Sequence, residues 1–562
     1  MKRITGTPQL ERLCLYVAWA LYAAPTFAIL AWSSRVRPPR TTVAILMTFV
    51  FTAGLIAALT RSWRRFFLYQ FPICLLGVAF AIYTIAFGIP PGTTLASILA
   101  AASWEELEGF IDMPQARWLV MLLAAWSVCY LVSASISTTR PIFIVRGILL
   151  RSIIGVLLVP LAVYAASNSA ELIDGIALEP IVGSVMFMGG DIPRVGAEIR
   201  NAGSHKISYR ARRSGGEEVH VLVIGESVRR DSWSAYGYSR TTTPYLDSLK
   251  NEAIFLQNAI ADANLTNWSV PIMLTGIAPG VFERGKVTGN IFDLAKEGGY
   301  GAVLLSNQDP TIAASAGVDA ALVESPLDIS GHWNAPHTLD EQLLPAYRRK
   351  LTRSGEARFI GIHMMGSHWE YFNRYPKKFQ HFGVSSQLGA LSIMSLVRSN
   401  SESAIVDAYD NSVLYTDWFL QQIIEQARGL TVPATVTFFP DHGEELQLLD
   451  GRVGHGLPTY TPNAFEIPAF VWANDAYRKL HPDIIAALKS NAAKEIRTHN
   501  VFYTVADIMG IKWPGAPKGM SFASDGFVAD TTNKHIAGGV LVVRPADRGA
   551  SNVVAKELVS AP

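Results

Sequence analysis

The stretch "ATVTFFPDHGEE", residues 434–445, joins a run of β-forming residues to an Asp-His pair and two glutamates. The apolar run predicts a buried strand, and the polar residues follow it immediately. Carboxylates and an imidazole are costly to bury unless a positive charge lies beside them. The stretch therefore indicates a cation site at the end of this strand, formed by Asp441, His442 and Glu444.

Four further β-rich runs have the same character: "VHVLVI" at 219–224, "GAVLLS" at 301–306, "RFIGIHMM" at 358–365 and "IPAFVWA" at 467–473. They alternate with helical patterns at 243–253, 404–427 and 499–509. This alternation predicts an α/β domain around a largely parallel sheet. In such a sheet the functional groups gather beyond the carboxyl ends of the strands.

The first part of the chain is unusually apolar. In a chain of 562 residues, hydrophobic residues make up 50%, and uncharged runs cover 13–32, 41–60, 66–89, 118–137 and 152–167. Most approach the roughly 20 residues that cross a bilayer. We therefore expect five transmembrane helices within residues 1–167. A cleaved signal peptide followed by buried core helices is disfavoured, because four more apolar runs follow the first.

The basic residues orient these spans. One side carries Lys2, Arg3, Arg12, Arg61, Arg64, Arg65, Arg140, Arg146 and Arg151, and the other carries Arg35, Arg37, Arg40 and Arg117. The positive-inside rule then predicts a cytoplasmic amino terminus. Five spans would put the chain after about residue 168 in the periplasm of a bacterium, anchored in the inner membrane. The three cysteines all lie in predicted spans, so the exported part has no disulfide.

We expect a linker at 168–217, which includes the basic stretch "SYRARRSGGEE", a catalytic domain at 218–543 and a disordered tail at 544–562. The net charge of +2 and the 17% of charged residues provide no basic surface for nucleic acid, so we exclude that partner class.

Candidate metal ligands follow several of the predicted strands: Glu226, His363, His368, Asp441, His442, Glu444 and His455. Taken singly, each is more often a surface group or a satisfied core residue. Their shared position at one sheet edge favours ligands for one or two zinc ions.

A nucleophile is expected in the hydroxyl-rich segment "ANLTNWSVPIMLTG", residues 263–276, where Thr266, Ser269 and Thr275 are the candidates. Coordination to zinc would make such a hydroxyl reactive near neutral pH. The alternative is a loop whose hydroxyls merely cap a helix.

Five sequence motifs occur in an order that is typical of one protein family. They are "VLVIGESVRRDSWSAYGYSRTTTPYLDSL", "LTNWSVPIMLTG", "IHMMGSHWEYFNRYP", "AYDNSVLYTDWFL" and "PDHGEELQ" with "GHGLP". The chain resembles the phosphoethanolamine transferases of Gram-negative envelopes, which belong to the alkaline phosphatase and sulfatase superfamily. The resemblance implies a nucleophilic Thr266 and a zinc held by Glu226, Thr266, Asp441 and His442. It further implies a second metal or substrate at His368 and His455, with His363 and Glu444 close by.

Two departures from the family pattern affect the substrate. Asp262 and Ile272 occupy the positions where lipid A-modifying members carry a disulfide around the nucleophile. In "AASWEELEGF", residues 101–110, Glu105 and Glu108 match two glutamates that resemblance assigns to the donor headgroup, but an alanine replaces the family's asparagine.

The resemblance implies transfer of phosphoethanolamine from phosphatidylethanolamine to a lipopolysaccharide acceptor, either a core sugar or lipid A, through a covalent threonine intermediate. The missing disulfide favours the core sugar, and we expect a monomer. Two alternatives are a phosphoglycerol transferase or hydrolase of the same superfamily, and a non-enzymatic membrane sensor with a degenerate sulfatase-like domain.

Overall fold

The computed structural model describes residues 7–37, 39–60, 62–87, 90–92, 95, 96, 99, 114–137, 175–204, 206–325, 339–353, 355–369, 371–383, 402–446 and 454–544. The described residues form two compact units, one from 7 to 96 and from 114 to 195, the other from 196 onward. The predicted fifth span at 152–167 and almost all of the predicted tail lie outside the described residues.

The first unit is helical. Its helices are α1 (Pro8–Val36), α2 (Pro39–Leu59), α3 (Trp63–Phe87), α4 (Pro114–Ile136) and α5 (Pro180–Met186), and a π-helical turn follows at Phe187–Asp191. By length and composition, three described helical segments could cross a membrane, Pro8–Arg35, Pro39–Ala57 and Trp63–Ile85, and Val120–Ile136 is a shorter apolar helix. The apolar amino-terminal helices are thus confirmed, although the count of five is not established.

Polar contacts inside this unit fix the start of α5. The buried carboxylate of Glu179 accepts a hydrogen bond from the backbone N–H of Val182 at 2.8 Å, which caps the helix. Its other oxygen accepts one from the Thr26 hydroxyl of α1 at 2.9 Å. The predicted linker at 168–217 therefore contains ordered helix: α5, the π-helical turn and α6 (Ile192–Asn201).

The second unit contains the remaining elements. Its strands are β1 (Arg212–Arg213), β2 (Val219–Gly225), β3 (Ile254–Ile260), β4 (Gly301–Ser306), β5 (Val323–Glu324), β6 (Arg358–His363), β7 (Ala434–Pro440), β8 (Glu466–Ala473), β9 (Glu495–Arg497), β10 (Ile511–Lys512), β11 (Lys534–Ala537) and β12 (Val540–Val543). Its further helices are α7 (Pro244–Ser248), α8 (Thr266–Thr275), α9 (Ile291–Glu297), α10 (Pro310–Ser315), α11 (Leu344–Leu351), α12 (Glu402–Arg428), α13 (Pro462–Phe465), α14 (Asp475–Leu480), α15 (Pro482–Asn491) and α16 (Asn500–Ile508).

An eight-stranded sheet runs through this unit in the order β5-β4-β6-β2-β7-β8-β3-β9. Strand β2 pairs in parallel with β6 and β7, and its last residue, Gly225, lies opposite Pro440. All residues of β2, β6 and β7 are buried, as expected for central strands covered on both faces. The five predicted strands are all present, so the α/β prediction is confirmed.

Strand β8 is antiparallel to both of its neighbours, β7 and β3. Two reversals restore the direction, so β3 runs the same way as β2 and β7. Its carboxyl end, Ile260, therefore lies at the same sheet edge as Gly225 and Pro440. This brings the segment after β3 to the edge where the candidate ligands follow β2 and β7.

The core lies on both faces of the sheet. On β2, Val219, Val221 and Val223 belong to one buried cluster and Leu222 and Ile224 to the other, because successive side chains point to opposite faces. Helix α12 packs on the first face, and α9 and α16 pack on the second. The result is a three-layer arrangement that holds the strand ends in fixed positions.

Candidate metal and nucleophile site

Two adjacent strand ends deliver three metal-capable side chains. Glu226 follows β2, while Asp441 and His442 follow β7, and all three are fully buried. One ligand atom of each lies within 4.8 Å of the others. His442 Nε2 is 3.3 Å from Asp441 Oδ2 and 3.6 Å from Glu226 Oε1. The sequence-predicted group thus lies together in the folded chain.

Thr266 is the first residue of α8 and reaches the same point. Its hydroxyl donates to Glu226 Oε2 at 3.1 Å and lies 3.2 Å from His442 Nε2. The other two candidate hydroxyls point to backbone carbonyls: Ser269 donates to Asp441 O at 2.5 Å, and Thr275 donates to Pro271 O at 2.7 Å. Of the three candidates, Thr266 is the one whose hydroxyl contacts the carboxylate and imidazole of the group.

The donor set fits a cation. His442 Nδ1 lies 2.8 Å from the Gly443 carbonyl, which can only accept, so a neutral ring carries its proton there and directs the Nε2 lone pair into the group. Asp441 Oδ2 has no hydrogen-bond partner among the described residues, although it is buried. Two carboxylates and an imidazole lone pair therefore converge around one hydroxyl proton, and these donor types suit zinc.

The electrostatics of this group also favour a cation. Burial, together with the neighbouring charge of Asp441, raises the pKa of Glu226 well above its usual value. Burial also lowers the pKa of His442, which favours the neutral ring. Both shifts have the direction expected when burial disfavours the charged forms of these side chains, and a cation beside them would oppose the shift at Glu226.

A second group shares His442 with Glu444 and His455. His455 Nδ1 lies 2.9 Å from Glu444 Oε2, and the Tyr371 hydroxyl donates to Glu444 Oε1 at 2.8 Å. The ring of His455 is 4.4 Å from that of His442 and 5.8 Å from that of His368, centroid to centroid. Three other predicted residues, Glu444, His455 and His368, therefore lie on the His442 side of the first group.

His363, the last residue of β6, is not a member of either group. It is buried, and its Nε2 has no hydrogen-bond partner among the residues described. Burial lowers its pKa to about 4, although the charge of Asp441 acts in the opposite direction. Glu105 and Glu108, predicted for the donor headgroup, lie outside the described residues.

Two residues that contact Glu226 are not among the candidates predicted from the sequence. The Ser227 hydroxyl donates to Glu226 Oε1 at 2.7 Å, and Gln308 Nε2 donates to Glu226 Oε2 at 3.1 Å. Gln308 follows β4 by two residues, so the rule that selected Glu226 and Asp441 would have found it in "LLSNQD". Ser227 likewise follows β2 by two residues, but a serine there is common in loops, and only its hydrogen bond to Glu226 distinguishes it.

Comparison with known proteins identifies the fold. The sequence profile of the sulfatase family matches residues 219–511. The Kdo(2)-lipid A phosphoethanolamine 7''-transferase of Salmonella typhimurium is 27% identical over 332 residues, which cover 56% of this chain and 55% of that enzyme. The chain thus spans about half the length of this relative.

Solved structures agree with this match. The integral membrane protein lipooligosaccharide phosphoethanolamine transferase A from Neisseria meningitidis superimposes with a TM-score of 0.65, covering 93% of this chain and 97% of that one at 20% identity. The carboxyl-terminal periplasmic domain of EptC from Escherichia coli, in complex with Zn, gives a TM-score of 0.50 at 21% identity and covers 61% of this chain and 94% of that one. The resemblance to phosphoethanolamine transferases is confirmed.

Proposed function

This chain belongs to the sulfatase family, and from that premise we propose that it is a membrane-anchored phosphoethanolamine transferase. The observation that carries the proposal is the position of the Thr266 hydroxyl, 3.1 Å from Glu226 Oε2 and 3.2 Å from His442 Nε2. A hydroxyl between a carboxylate and an imidazole lone pair has a proton acceptor at hand, which an attacking nucleophile requires.

We propose that Glu226, Thr266, Asp441 and His442 hold one zinc ion. The unpartnered Asp441 Oδ2 and the inward Nε2 lone pair of His442 support this assignment, and a structural relative is known in complex with Zn. A bound zinc ion would stabilise the Thr266 alkoxide and the negative charge that grows on the phosphoryl oxygens. His368, His455 and Glu444 line a second position for a metal or for substrate, and His363 is a further candidate for this role.

The reaction then has two displacements. Thr266 Oγ1 bonds to the phosphorus of phosphatidylethanolamine as its proton passes to Glu226. The bond from phosphorus to the diacylglycerol oxygen breaks, and Glu226 gives the same proton to that oxygen, so diacylglycerol leaves as a neutral alcohol. An oxygen of an acceptor hydroxyl or phosphate next bonds to phosphorus as the bond to Thr266 Oγ1 breaks. Glu226 takes the proton of the acceptor hydroxyl, or a solvent proton where the acceptor is an ionised phosphate, and passes it to Thr266 Oγ1, so the free hydroxyl is regained. Thr266 lies at the start of α8, where backbone N–H groups favour a phosphate.

We propose a lipopolysaccharide acceptor, since the Salmonella relative is named for transfer to Kdo(2)-lipid A. We favour a core sugar over lipid A, because Asp262 and Ile272 stand where the resemblance places a disulfide in lipid A-modifying members. Glu105 and Glu108 remain our candidates for the donor headgroup.

For the membrane arrangement we propose five spans in 1–167, a linker at 168–217, a periplasmic catalytic domain at 218–543 and a tail at 544–562, in an inner-membrane monomer. Such an anchor keeps the active domain beside a lipid donor and a lipid-linked acceptor. A hydrolase or a phosphoglycerol transferase of the same family would use the same group of ligands, so the donor must be tested directly.

The test is covalent capture of the intermediate. Purified full-length protein in detergent is given phosphatidylethanolamine without an acceptor, and peptide mass spectrometry locates the added phosphoethanolamine. We expect the adduct on Thr266 and none from phosphatidylglycerol. Thr266→Ala should abolish the adduct, whereas Ser269→Ala, which removes a neighbouring hydroxyl bonded to a carbonyl, should retain it.

An adduct on Ser269 or Thr275, or transfer by the Thr266→Ala protein, would overturn the mechanism. An adduct formed only from phosphatidylglycerol would keep the nucleophile but replace the proposed donor.

A further inference from the structure

We infer that Ser227 and Gln308 are positioning residues that hold the Glu226 carboxylate in its metal-binding orientation. The inference rests on the proposed zinc site and adds to it two residues outside the ligand set. Each donates to a different oxygen of Glu226: Ser227 to Oε1 at 2.7 Å and Gln308 to Oε2 at 3.1 Å. A carboxylate restrained at both oxygens cannot rotate away from the position between Asp441 and His442.

The backbone of Ser227 is adapted to this task. Its φ of 55° lies in the left-handed region, one of three such non-glycine residues in the described part of the chain. In this conformation its N–H donates to Asp441 Oδ1 at 3.1 Å while its hydroxyl donates to Glu226. One residue thus holds both acidic ligands, each on a different strand end. Strained backbone of this kind persists where the surroundings fix it, often at functional sites.

The Tyr409 hydroxyl holds Ser227 in turn and is itself held by Arg229. The Tyr409 hydroxyl of α12 donates to the Ser227 carbonyl at 2.6 Å, and the same hydroxyl accepts from the Arg229 N–H at 2.9 Å. Ser227 is fully buried, so solvent does not compete for its hydrogen bonds. The orientation of Glu226 is therefore connected to the packed helix behind the sheet.

Gln308 is fixed from the opposite side. Its Nε2 donates to the Met364 carbonyl at 3.0 Å as well as to Glu226, and its backbone N–H donates to the Ser306 hydroxyl at 3.2 Å. The side chain therefore spans from the end of β4, past the end of β6, to Glu226. An amide nitrogen only donates, so this contact requires an acceptor, and Glu226 Oε2 accepts from Gln308 as well as from Thr266.

Groups that orient a metal ligand without touching the metal typically affect metal affinity by about 10–100-fold. We therefore expect Ser227→Ala and Gln308→Ala each to weaken zinc binding by about 10–100-fold. Ser315→Ala is the matched control for Ser227→Ala. Ser315 is also buried, and its hydroxyl donates one hydrogen bond, to the Ile312 carbonyl at 2.7 Å. The substitution therefore removes one buried hydrogen bond that is not made to Glu226, Asp441 or His442.

The experiment measures the zinc dissociation constant of the full-length protein in detergent by competition with a chromophoric chelator. The melting temperature of each metal-free protein is recorded beside it. Cobalt is then substituted for zinc, because its visible absorption responds to the arrangement of the ligands. We expect a changed cobalt spectrum in both variants and an unchanged one in Ser315→Ala.

A lowered melting temperature with unchanged zinc affinity and cobalt spectrum would show that the two residues only stabilise the fold, and would overturn the inference. Unchanged values throughout would overturn it as well. If Ser227→Ala fails to fold, Gln308→Ala decides the matter alone. Wild-type protein that binds no zinc would refute the proposed metal site itself, an outcome distinct from equal binding by wild type and variants.

Discussion

Replacing Asp262 by asparagine should destabilise the second unit, because this side chain is the buried anion of a charged cluster. Asp262 follows β3 and accepts four hydrogen bonds of 2.7–2.9 Å: from Arg497 Nε, the Thr498 hydroxyl, and the backbone N–H and Nδ1 of His499. Arg497 Nη2 lies 2.6 Å from it as well, and both charged side chains are completely buried. Asparagine keeps the shape but removes the charge.

Removing one partner of a buried ion pair costs about 3–5 kcal/mol, since the other charge is left without compensation. Here Arg497 retains weaker contacts, with Glu495 at 3.9 Å and Asp530 at 3.7 Å. We therefore expect Asp262→Asn to lower the free energy of unfolding by about 3 kcal/mol, the lower end of this range. For a unit of about 380 residues, an unfolding entropy of about 2.1 cal/mol/K per residue converts this into a fall in melting temperature of about 4 °C.

The pH dependence follows from the same contacts. Burial alone would raise the pKa of Asp262, but the charges of His499 and Arg497 hold that pKa well below its usual range. A carboxyl group whose pKa is depressed in the folded protein stabilises the folded state at pH values above its unfolded pKa of about 3.9. This stabilisation is lost progressively as the pH falls below that value. The difference in melting temperature between wild type and Asp262→Asn should thus persist from about pH 8 to about pH 5 and become smaller below about pH 4.

The assay is thermal unfolding of the full-length protein in detergent, followed by tryptophan fluorescence at several pH values. Asp525→Asn is the control, because Asp525 is exposed and substitutions there should change stability by less than about 0.5 kcal/mol. A difference under about 1 °C at neutral pH, or one that widens as the pH falls, would refute the reasoning.

Three further outcomes are expected. Asp441→Ala protein should lose most of its zinc in elemental analysis, and full occupancy would contradict the assigned ligand. Gly366→Ala should lower zinc affinity at least about tenfold, since an added Cβ would lie 2.9 Å from the Glu226 carbonyl at a φ of +51°; titration against a chelator measures it. Alkaline phosphatase fused after Ser204 should be active and fused after Arg64 inactive, and the reverse would contradict the proposed topology.

Much of the fold follows from local patterns. The β-rich runs that became β2, β4, β6, β7 and β8 are apolar on both faces, which only a covered sheet accommodates. The positions of Glu226 and Asp441 directly after two such runs were sufficient to predict their proximity, because parallel strands end at one edge. The apolar helices at the front are likewise evident from length and composition alone.

Strand β3 and the antiparallel direction of β8 were not predicted from the sequence. A local hydrophobic pattern encodes neither the order of strands in a sheet nor their direction, so the place of β3 beside β8 was not evident. Together these two features bring Thr266 to the edge that holds Glu226 and His442. By its residues alone, the hydroxyl-rich segment left Thr266, Ser269 and Thr275 equivalent. Their hydrogen bonds separate them, because the first residue of α8 faces the strand ends while the other two hydroxyls bond to backbone carbonyls.

The sequence by itself determined which strands end in acidic and imidazole groups, because that information lies within a few adjacent residues. Only the tertiary structure decided which hydroxyl meets them and which groups orient them. Gln308 is 82 residues from Glu226 along the chain, and Ser227 donates to Asp441 across 214 residues. Contacts over such separations depend on how strands are ordered, how they run and how a single left-handed residue turns, and those properties are fixed only when the whole sheet is packed.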